Sequence, residues 1–531
     1  MIFVKATHFL CKLILVLLII SIPSLAVSQH RNIKVGGQLS SSYPEEPSIV
    51  INPKNTDHQL IGANKDNYYF STDGGETWTH GVLTDKLGVW GDPCVIADTA
   101  GTFYFFHLSD PPGSPWVDRI MCQKLGRLGG TWSDATYMGL NGSKLQDKEW
   151  AVVDPWNNNI YVTWTQFDQY GSTNPKHFSN IRFSRSTDEG NSWSEAIKIN
   201  EIRGDCLDDD NTTEGAVPTV GANGEIYVSW GGPAGLVFDK SLDEGQTWLA
   251  NDIFVSDIPG GWAFNVPSIN RCNGMPITVC DVSKSPYHGN IYINWSDQRN
   301  GVDNTDIWLI KSSDGGETWS ERKRVNDDPP GKHQFFSWMA VDQTNGNIYI
   351  VFYDRRNYND TRTDVYLAVS KDGGESFQNY KISNTPFKPN QSVFFGDYTN
   401  IWAHNNVIRP VWARLDDRTL SIWTALVDTE LFTGISSPSN KALPNSFEIT
   451  SIHPNPFNAT TIIQYRLPKT GLVEIKMFDV LGKEMATLFF GKQTQGAFEI
   501  EWNAEEVASG VYFVHIKFGN DLISKKVVLS K

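Results

Sequence analysis

The chain has 531 residues, too many for one ordinary domain, and 12% of them are aromatic, including 19 Trp. That composition points to packed β structure and excludes disorder. The net charge is −15, and from Asn445 onward acids and bases are equal in number, so the acidic excess lies before that point and excludes nucleic acid as a partner.

Residues 1–28 read as a secretory signal peptide. Lys5 and Lys12 supply the positive segment, Leu13–Ile20 the apolar core, and Ala26-Val27-Ser28 a small-residue cleavage site. No other stretch is long and apolar enough to cross a bilayer, so the mature chain is expected to lack a transmembrane segment. Cys11 leaves with the leader. The remaining Cys94, Cys122, Cys206, Cys272 and Cys280 cannot all pair within one molecule. Cys272 and Cys280 flank a possible hairpin and either bridge or stay as buried thiols.

A short turn signature then recurs, Ser-x-Asp-x-Gly-x-Thr/Ser-Trp/Phe, built on Asp73, Asp188, Asp243, Asp314 and Asp372, with a worn copy ending Gly130-Thr131-Trp132. The Asp accepts backbone N–H bonds across the turn, the second Gly suits a positive φ, and the aromatic ring covers apolar surface beside it. Between the turns, strand-length runs repeat, such as Ile160-Tyr-Val-Thr-Trp164, Ile226-Tyr-Val-Ser-Trp230 and Ile291-Tyr-Ile-Asn-Trp295. Self-similarity at this spacing predicts a β-propeller. Inner strands are expected to start at Glu46-Pro47, Asp92-Pro93, Glu149-Trp150, Val217-Pro218, Val266-Pro267, Ser337-Trp338 and Asp397-Tyr398. This makes seven blades. The last unit lacks the turn signature, which leaves six blades plus an edge sheet as the alternative. Ile33–Leu39 is placed to add a strand to the last blade and close the ring.

The turn signature resembles the Asp-box (BNR repeat) of sialidases and their relatives, across residues 71–377. The resemblance implies that Asp73, Asp188, Asp243, Asp314 and Asp372 are structural, on the face away from a sialidase active site. It also has a gap: the family's Phe/Tyr-Arg-Ile-Pro motif is missing. The span before Glu46 offers only Arg31, in His30-Arg-Asn-Ile with no Pro after it. The chain therefore departs from an authentic sialidase, and any enzyme activity points to a glycoside hydrolase of sialidase-like fold.

Residues 429–446 are rich in Ser, Pro and Asn and read as a linker. Residues 447–531 form a different module, expected as a small immunoglobulin-like β-sandwich. Its Pro454-Asn-Pro-Phe-Asn458, Asp479-Val-Leu-Gly-Lys483 and Ala508-Ser-Gly-Val-Tyr512 resemble the type A C-terminal sorting domain of the type IX secretion system. That resemblance implies handling by the secretion machinery and a secreted or outer-membrane cell-surface location. The domain plan is thus a signal peptide at 1–28, an Asp-box propeller at 29–428, the linker, and the sorting domain. The fold class is all-β.

In a propeller the residues that open the inner strands share one face around the axis. Glu46, Asp92, Glu149 and Asp397 come from adjacent blades. Carboxylates crowded there either rise in pKa or gather a cation such as Ca. A raised carboxyl suits general acid catalysis of glycosidic cleavage, which makes Asp92, Glu149 and Asp397 catalytic candidates, with Tyr353 added by location. The same acids equally serve as hydrogen-bond partners of the next blade. Arg299, Arg356 and Arg414, after the second strands of three adjacent blades, fit an anionic substituent if they converge; pairing with Asp297 and Asp354 in their own loops is the alternative. Trp90, Trp116, Trp262 and Trp338 lie in or near loops and suit stacking on sugar rings. The expected function is recognition, and potentially hydrolysis, of an extracellular, anionic glycan or glycoprotein. A non-catalytic surface propeller is the alternative and a polysaccharide lyase, with Tyr353 beside Arg356, the third option.

Overall fold

A computed structural model describes residues 30–38, 43–113, 115–209, 211–259, 262–429, 432 and 447–531, less residues 470, 494, 495, 506 and 520. The expected leader lies outside these residues, as does the linker apart from Thr429 and Phe432. The described residues contain no α-helix. The chain divides into two compact units, Met1–Thr433 and Gly434–Lys531.

Among the described residues the first unit holds seven antiparallel four-stranded sheets and one two-stranded sheet. The inner strands are Ser48–Ile51, Gly91–Ala97, Leu145–Val153, Glu214–Val220, Ile277–Cys280, Gln334–Val341 and Asn400–His404. They touch in chain order, and the last touches the first. The seventh sheet is completed by the N-terminal strand Arg31–Gly37, antiparallel to Thr419–Leu426 in the register Arg31↔Leu426. Closure by the two ends of the same unit pairs the N-terminal strand into the last sheet, so the ring has no open seam for a second chain to fill.

Local sequence explains the stacking. Each sheet is covered on both faces, so the second strands are apolar on both. Trp164, Trp230, Trp295 and Trp412 all sit on second strands and are fully buried. Around the axis, the free edge of each inner strand needs partners for its N–H groups. Neighbouring strands supply them: Ser48 Oγ accepts from Val95 N at 3.1 Å, Cys94 Sγ from Ala151 N at 3.4 Å and Thr219 Oγ1 from Cys280 N at 3.2 Å. Asn400 Oδ1 accepts from Ile49 N at 3.3 Å across the closing joint.

The Asp-box turns join third to fourth strands. In the second full copy Asp188 accepts from Ser192 N at 2.9 Å, Ser192 Oγ at 2.6 Å and Ser186 Oγ at 2.8 Å. The other four copies repeat this pattern. Gly245 sits at φ 82°, and a Cβ there would overlap Phe183 of the preceding sheet. The Trp248 ring meets that same Phe183 ring at 5.0 Å. Each box thus fastens its own turn and presses it onto the sheet before.

Two expectations change. The fifth inner strand begins at Ile277, not at Val266. Val266 lies instead in an insertion carrying the small hairpin Ala263–Phe264 and Cys272–Asn273. Its Val-Pro-Ser-Ile sequence imitates the repeat, yet no second strand pairs with it. The possible Cys272–Cys280 bridge is absent: the five cysteines among the described residues are free and buried.

The second unit has a three-stranded and a four-stranded antiparallel sheet. Alternate residues of both, including Ile463, Tyr465, Val473, Ile475, Trp502, Val514 and Ile516, meet in one core.

Candidate functional site

The inner strands are entered through an unusual backbone. Glu46 and Asp92 at φ 52°, Lys148 at φ 54°, Phe336 at φ 49°, Gly215 at φ 76° and Gly396 at φ 93° are all left-handed. Register slips accompany four of them, at Gly91/Cys94, Asp147/Trp150, Glu214/Val217 and Phe335/Trp338. These are β-bulges, which re-aim side chains at the end of a ladder. Four non-glycine residues in a conformation costing of order 1 kcal/mol or more each mark a place where the fold accepts strain. The bulge also corrects the alignment of the third sheet: the residue equivalent to Glu46 and Asp92 is Lys148, and Glu149 stands one place on.

Lys148 is the hub of a charged cluster at this end of the ring. Its Nζ lies 2.7 Å from Asp397 Oδ2, 3.3 Å from Asp92 Oδ2 and 4.0 Å from Asp147 Oδ1. Arg271, from the fifth-sheet insertion, donates Nε to Asp397 Oδ1 at 2.9 Å, makes a second bond to Oδ2, and reaches Asp208. Glu46 accepts from Asp397 N at 3.0 Å and from Asn64, whose Oδ1 accepts from Asp92 N at 2.7 Å. Glu46, Glu149 and Asp397 are each 1% exposed and Glu214 is fully buried. The cation expected among these acids is therefore the chain's own ammonium and guanidinium. Among the described residues, no group of three His, Cys, Asp or Glu is arranged to hold a metal ion.

Proton occupancy follows from burial and partners. Burial, then the Asp92 charge, pushes Glu46 well above the ordinary carboxyl range. Burial likewise raises Asp147, Glu149 and Glu214, and lifts Glu45 to about 8. Burial acts on Asp92 too, but Lys148 and hydrogen bonds from Glu46 and Asp147 overcome it and hold Asp92 below its ordinary value. Arg271 and then Lys148 do the same for Asp397. The cluster thus mixes acids whose hold on the proton burial strengthens with acids that cations keep below the ordinary range, the separation of roles that acid–base chemistry requires. Both oxygens of Glu149 lack a hydrogen-bond partner.

The other expected site residues stand apart. Arg299 is paired with Asp297 and Arg356 with Asp354 at 2.8 Å and with Asp327; Arg414 is paired with Asp416 at 2.7 and 2.9 Å. Each guanidinium finds a carboxylate two residues along its own chain, so the three form local clamps and not a converging triad. Tyr353 is 1% exposed, and its hydroxyl donates to Ala413 O at 2.7 Å. Trp338 is buried against Trp150 at 4.2 Å, and Tyr398 adds a third ring 5.1 Å from Trp150. Trp262 is also buried. Asp73, Asp188, Asp243, Asp314 and Asp372 lie in the turns at the other end of the sheets, as antiparallel order requires.

What the sequence reading missed is Lys148, Asp147, Asp208 and Arg271. Lys148 was visible as the middle of Asp-Lys-Glu-Trp, one step from the residue chosen. Arg271 had no signal, since its segment belongs to no repeat.

An open rim adjoins the cluster. Tyr170 OH donates to Asp208 Oδ2 at 2.6 Å, and its ring meets Trp116 at 6.1 Å. Trp116 meets Trp90 at 5.3 Å, and Lys65 Nζ lies 3.8 Å over Trp90. On the other side of Asp208, Arg271 lies 5.4 Å over Phe394. Trp116 is 41% and Phe394 36% exposed.

Comparison with known proteins gives two family matches. Residues 451–530 match the secretion system C-terminal sorting domain, and residues 69–80 match the BNR/Asp-box repeat. No curated protein matches the chain. Among solved structures, the chain is similar to a Hadza microbial sialidase, at 13% identity over 69% of this chain and 73% of that one, TM-score 0.40. It is similar to the NanB sialidase of Streptococcus pneumoniae at 10% identity, over 75% and 95%, TM-score 0.43. It is also similar to a polysaccharide lyase, an ulvan lyase, at 12% identity, over 77% and 100%, TM-score 0.45. No helix among the described residues is long and apolar enough to cross a membrane. The chain carries an Asp-box repeat and a type IX C-terminal sorting domain, which indicates export to the cell surface or the medium.

Proposed function

We propose that the protein is a signal-peptide-bearing, seven-bladed Asp-box propeller that binds an anionic extracellular glycan at the carboxyl-cluster end, followed by an immunoglobulin-like sorting domain. In this plan the signal peptide is 1–28, the propeller 29–428, the linker 429–446 and the sorting domain 447–531. The observation that carries the function is the continuous arc Lys65–Trp90–Trp116–Tyr170–Asp208–Arg271–Phe394. Exposed indole and phenyl faces stack on sugar rings, and the exposed Lys65 ammonium over Trp90 favours a carboxylate or sulfate, while Arg271, held by Asp397 and Asp208, fixes the far end of the arc. Binding of acidic polysaccharides by calorimetry tests this. Trp116→Ala and Lys65→Ala are expected to weaken binding at least tenfold; unchanged affinity in both overturns it.

Hydrolysis is the second reading, favoured by the neutral carboxyls. Of the catalytic candidates Asp92, Glu149 and Asp397, only Glu149 is pushed by burial well above the ordinary carboxyl range, so Glu149 takes the acid role. Asp92 and Asp397, held ionised, would stabilise positive charge at the sugar. A screen on fluorogenic glycosides, with Glu149→Gln as control, checks it: turnover that survives Glu149→Gln removes this assignment. A lyase needs a free base, and Tyr353, buried and committed to Ala413, does not supply one.

A further inference from the structure

Beneath the Trp150–Trp338–Tyr398 rings, the axis of the ring holds a channel of about 330 Å3. The two Trp close it at the charged end. At the Asp-box end its mouth is bordered by Pro53, Thr99, Pro155, Gln343 and His404. The walls are the inner strands, with small or aliphatic residues such as Ala97, Ala151, Val279 and Ala340 reaching the lumen.

The walls are apolar for two reasons. The side chains are mostly hydrocarbon. The backbone donors at the strand edges that would hold water are in part already taken, Ile49 N by Asn400, Val95 N by Ser48, Ala151 N by Cys94 and Cys280 N by Thr219. Apolar cavities of this kind stay dry and accept apolar guests. The volume also falls in the range of small-molecule sites, which are mostly apolar with a few polar groups at the opening.

Shape selects the guest. Four residues of inner strand span roughly 13 Å, so the space open to the centre of a water-sized body is about 25 Å2 in section. That admits an extended hydrocarbon chain, and the largely apolar walls leave a sugar's hydroxyl groups without hydrogen-bond partners.

We propose that the axial channel binds a single-chain amphiphile. The alkyl tail enters from the Asp-box end and stops at Trp150 and Trp338, and the polar head stays at the mouth beside His404 and Thr99.

The full chain titrated with 11-(dansylamino)undecanoic acid tests this. Saturable one-to-one binding is expected. Competing n-alkyl carboxylates should gain about fourfold in affinity per methylene, until the tube is full. The bore-filling double variant Ala151→Leu/Ala340→Leu should bind the probe at least tenfold more weakly. No saturable binding overturns the proposal, as does competition that ignores chain length, or a folded double variant that binds like the parent. The chain-length series needs no variant, so the proposal stays testable if the double variant fails to fold.

Discussion

The two ends of the ring use the same residue type in opposite ways. At the Asp-box end, Asp188, Asp243 and Asp314 are pulled down to about 2, first by the hydroxyl four residues on and then by its N–H. These carboxylates are exposed or half-buried, repeated and satisfied within eight residues of chain. At the other end the acids are buried, differ from sheet to sheet, and depend on two cations far away in sequence. Asp397 is 249 positions from Lys148 and 126 from Arg271. The lesson is that repetition marks the scaffold and broken repetition marks the site. Left-handed Glu46, Asp92, Lys148 and Phe336, together with the fifth-sheet insertion, all fall at the irregular end.

The strongest way to break this contrast is at Lys148. Lys148→Met strands Asp397 and Asp92 beside a missing charge, and a loss of about 3–5 kcal/mol is expected by chemical denaturation. A loss under about 1 kcal/mol would mean the cluster is not held by its ion pairs.

Next is pH. Burial raises Glu45 and Asp239 to about 8, while unfolded carboxyls titrate near 4. The folded state binds the extra protons, so this contribution falls as pH rises from about 4 to 8. His333, lowered to about 4 by burial, and His30, His80 and His107, also lowered by burial, act in the opposite sense, chiefly below pH 6.5 and fading above it. Between pH 6.5 and 8 the carboxyls outweigh the histidines, and stability should drop by about 2 kcal/mol. Glu45→Gln should lessen that slope and Asp188→Asn should not. A melting temperature that holds or climbs over this interval refutes the assignment.

A smaller effect belongs to the Asp-box end. Asp243→Ala removes the acceptor for Thr247 N, Thr247 Oγ1 and Ser241 Oγ, at an expected cost of about 1 kcal/mol, with glycan binding intact. Smallest is Glu317→Gln. It breaks an ion pair with Lys240 whose acid is 67% exposed, and less than about 0.5 kcal/mol is expected. An effect on binding from either variant would erase the division between the two ends.

Much of the scaffold was readable from sequence because its determinants are local. The Asp, the second Gly and the aromatic ring of each box act within one turn. The Tyr and Trp of the second strands announce sheets covered on both sides. The N-terminal strand was placed on the last sheet from its position alone, and it pairs there from Arg31 to Gly37. The fifth inner strand was misplaced because Val266-Pro267 copies a motif whose partner strand is missing. The guanidinium groups of Arg299, Arg356 and Arg414 were within reach of the site by position, but a carboxylate two residues away is always closer than one in another sheet.

Sequence alone therefore determined the repeating unit, the all-β class and the sorting domain, since each is written in contacts a few residues long. Only the tertiary structure decided which acids keep their protons and which cations neutralise the rest. Those outcomes depend on burial and on pairs that meet when Lys148, Arg271 and Asp397 are brought together around one axis.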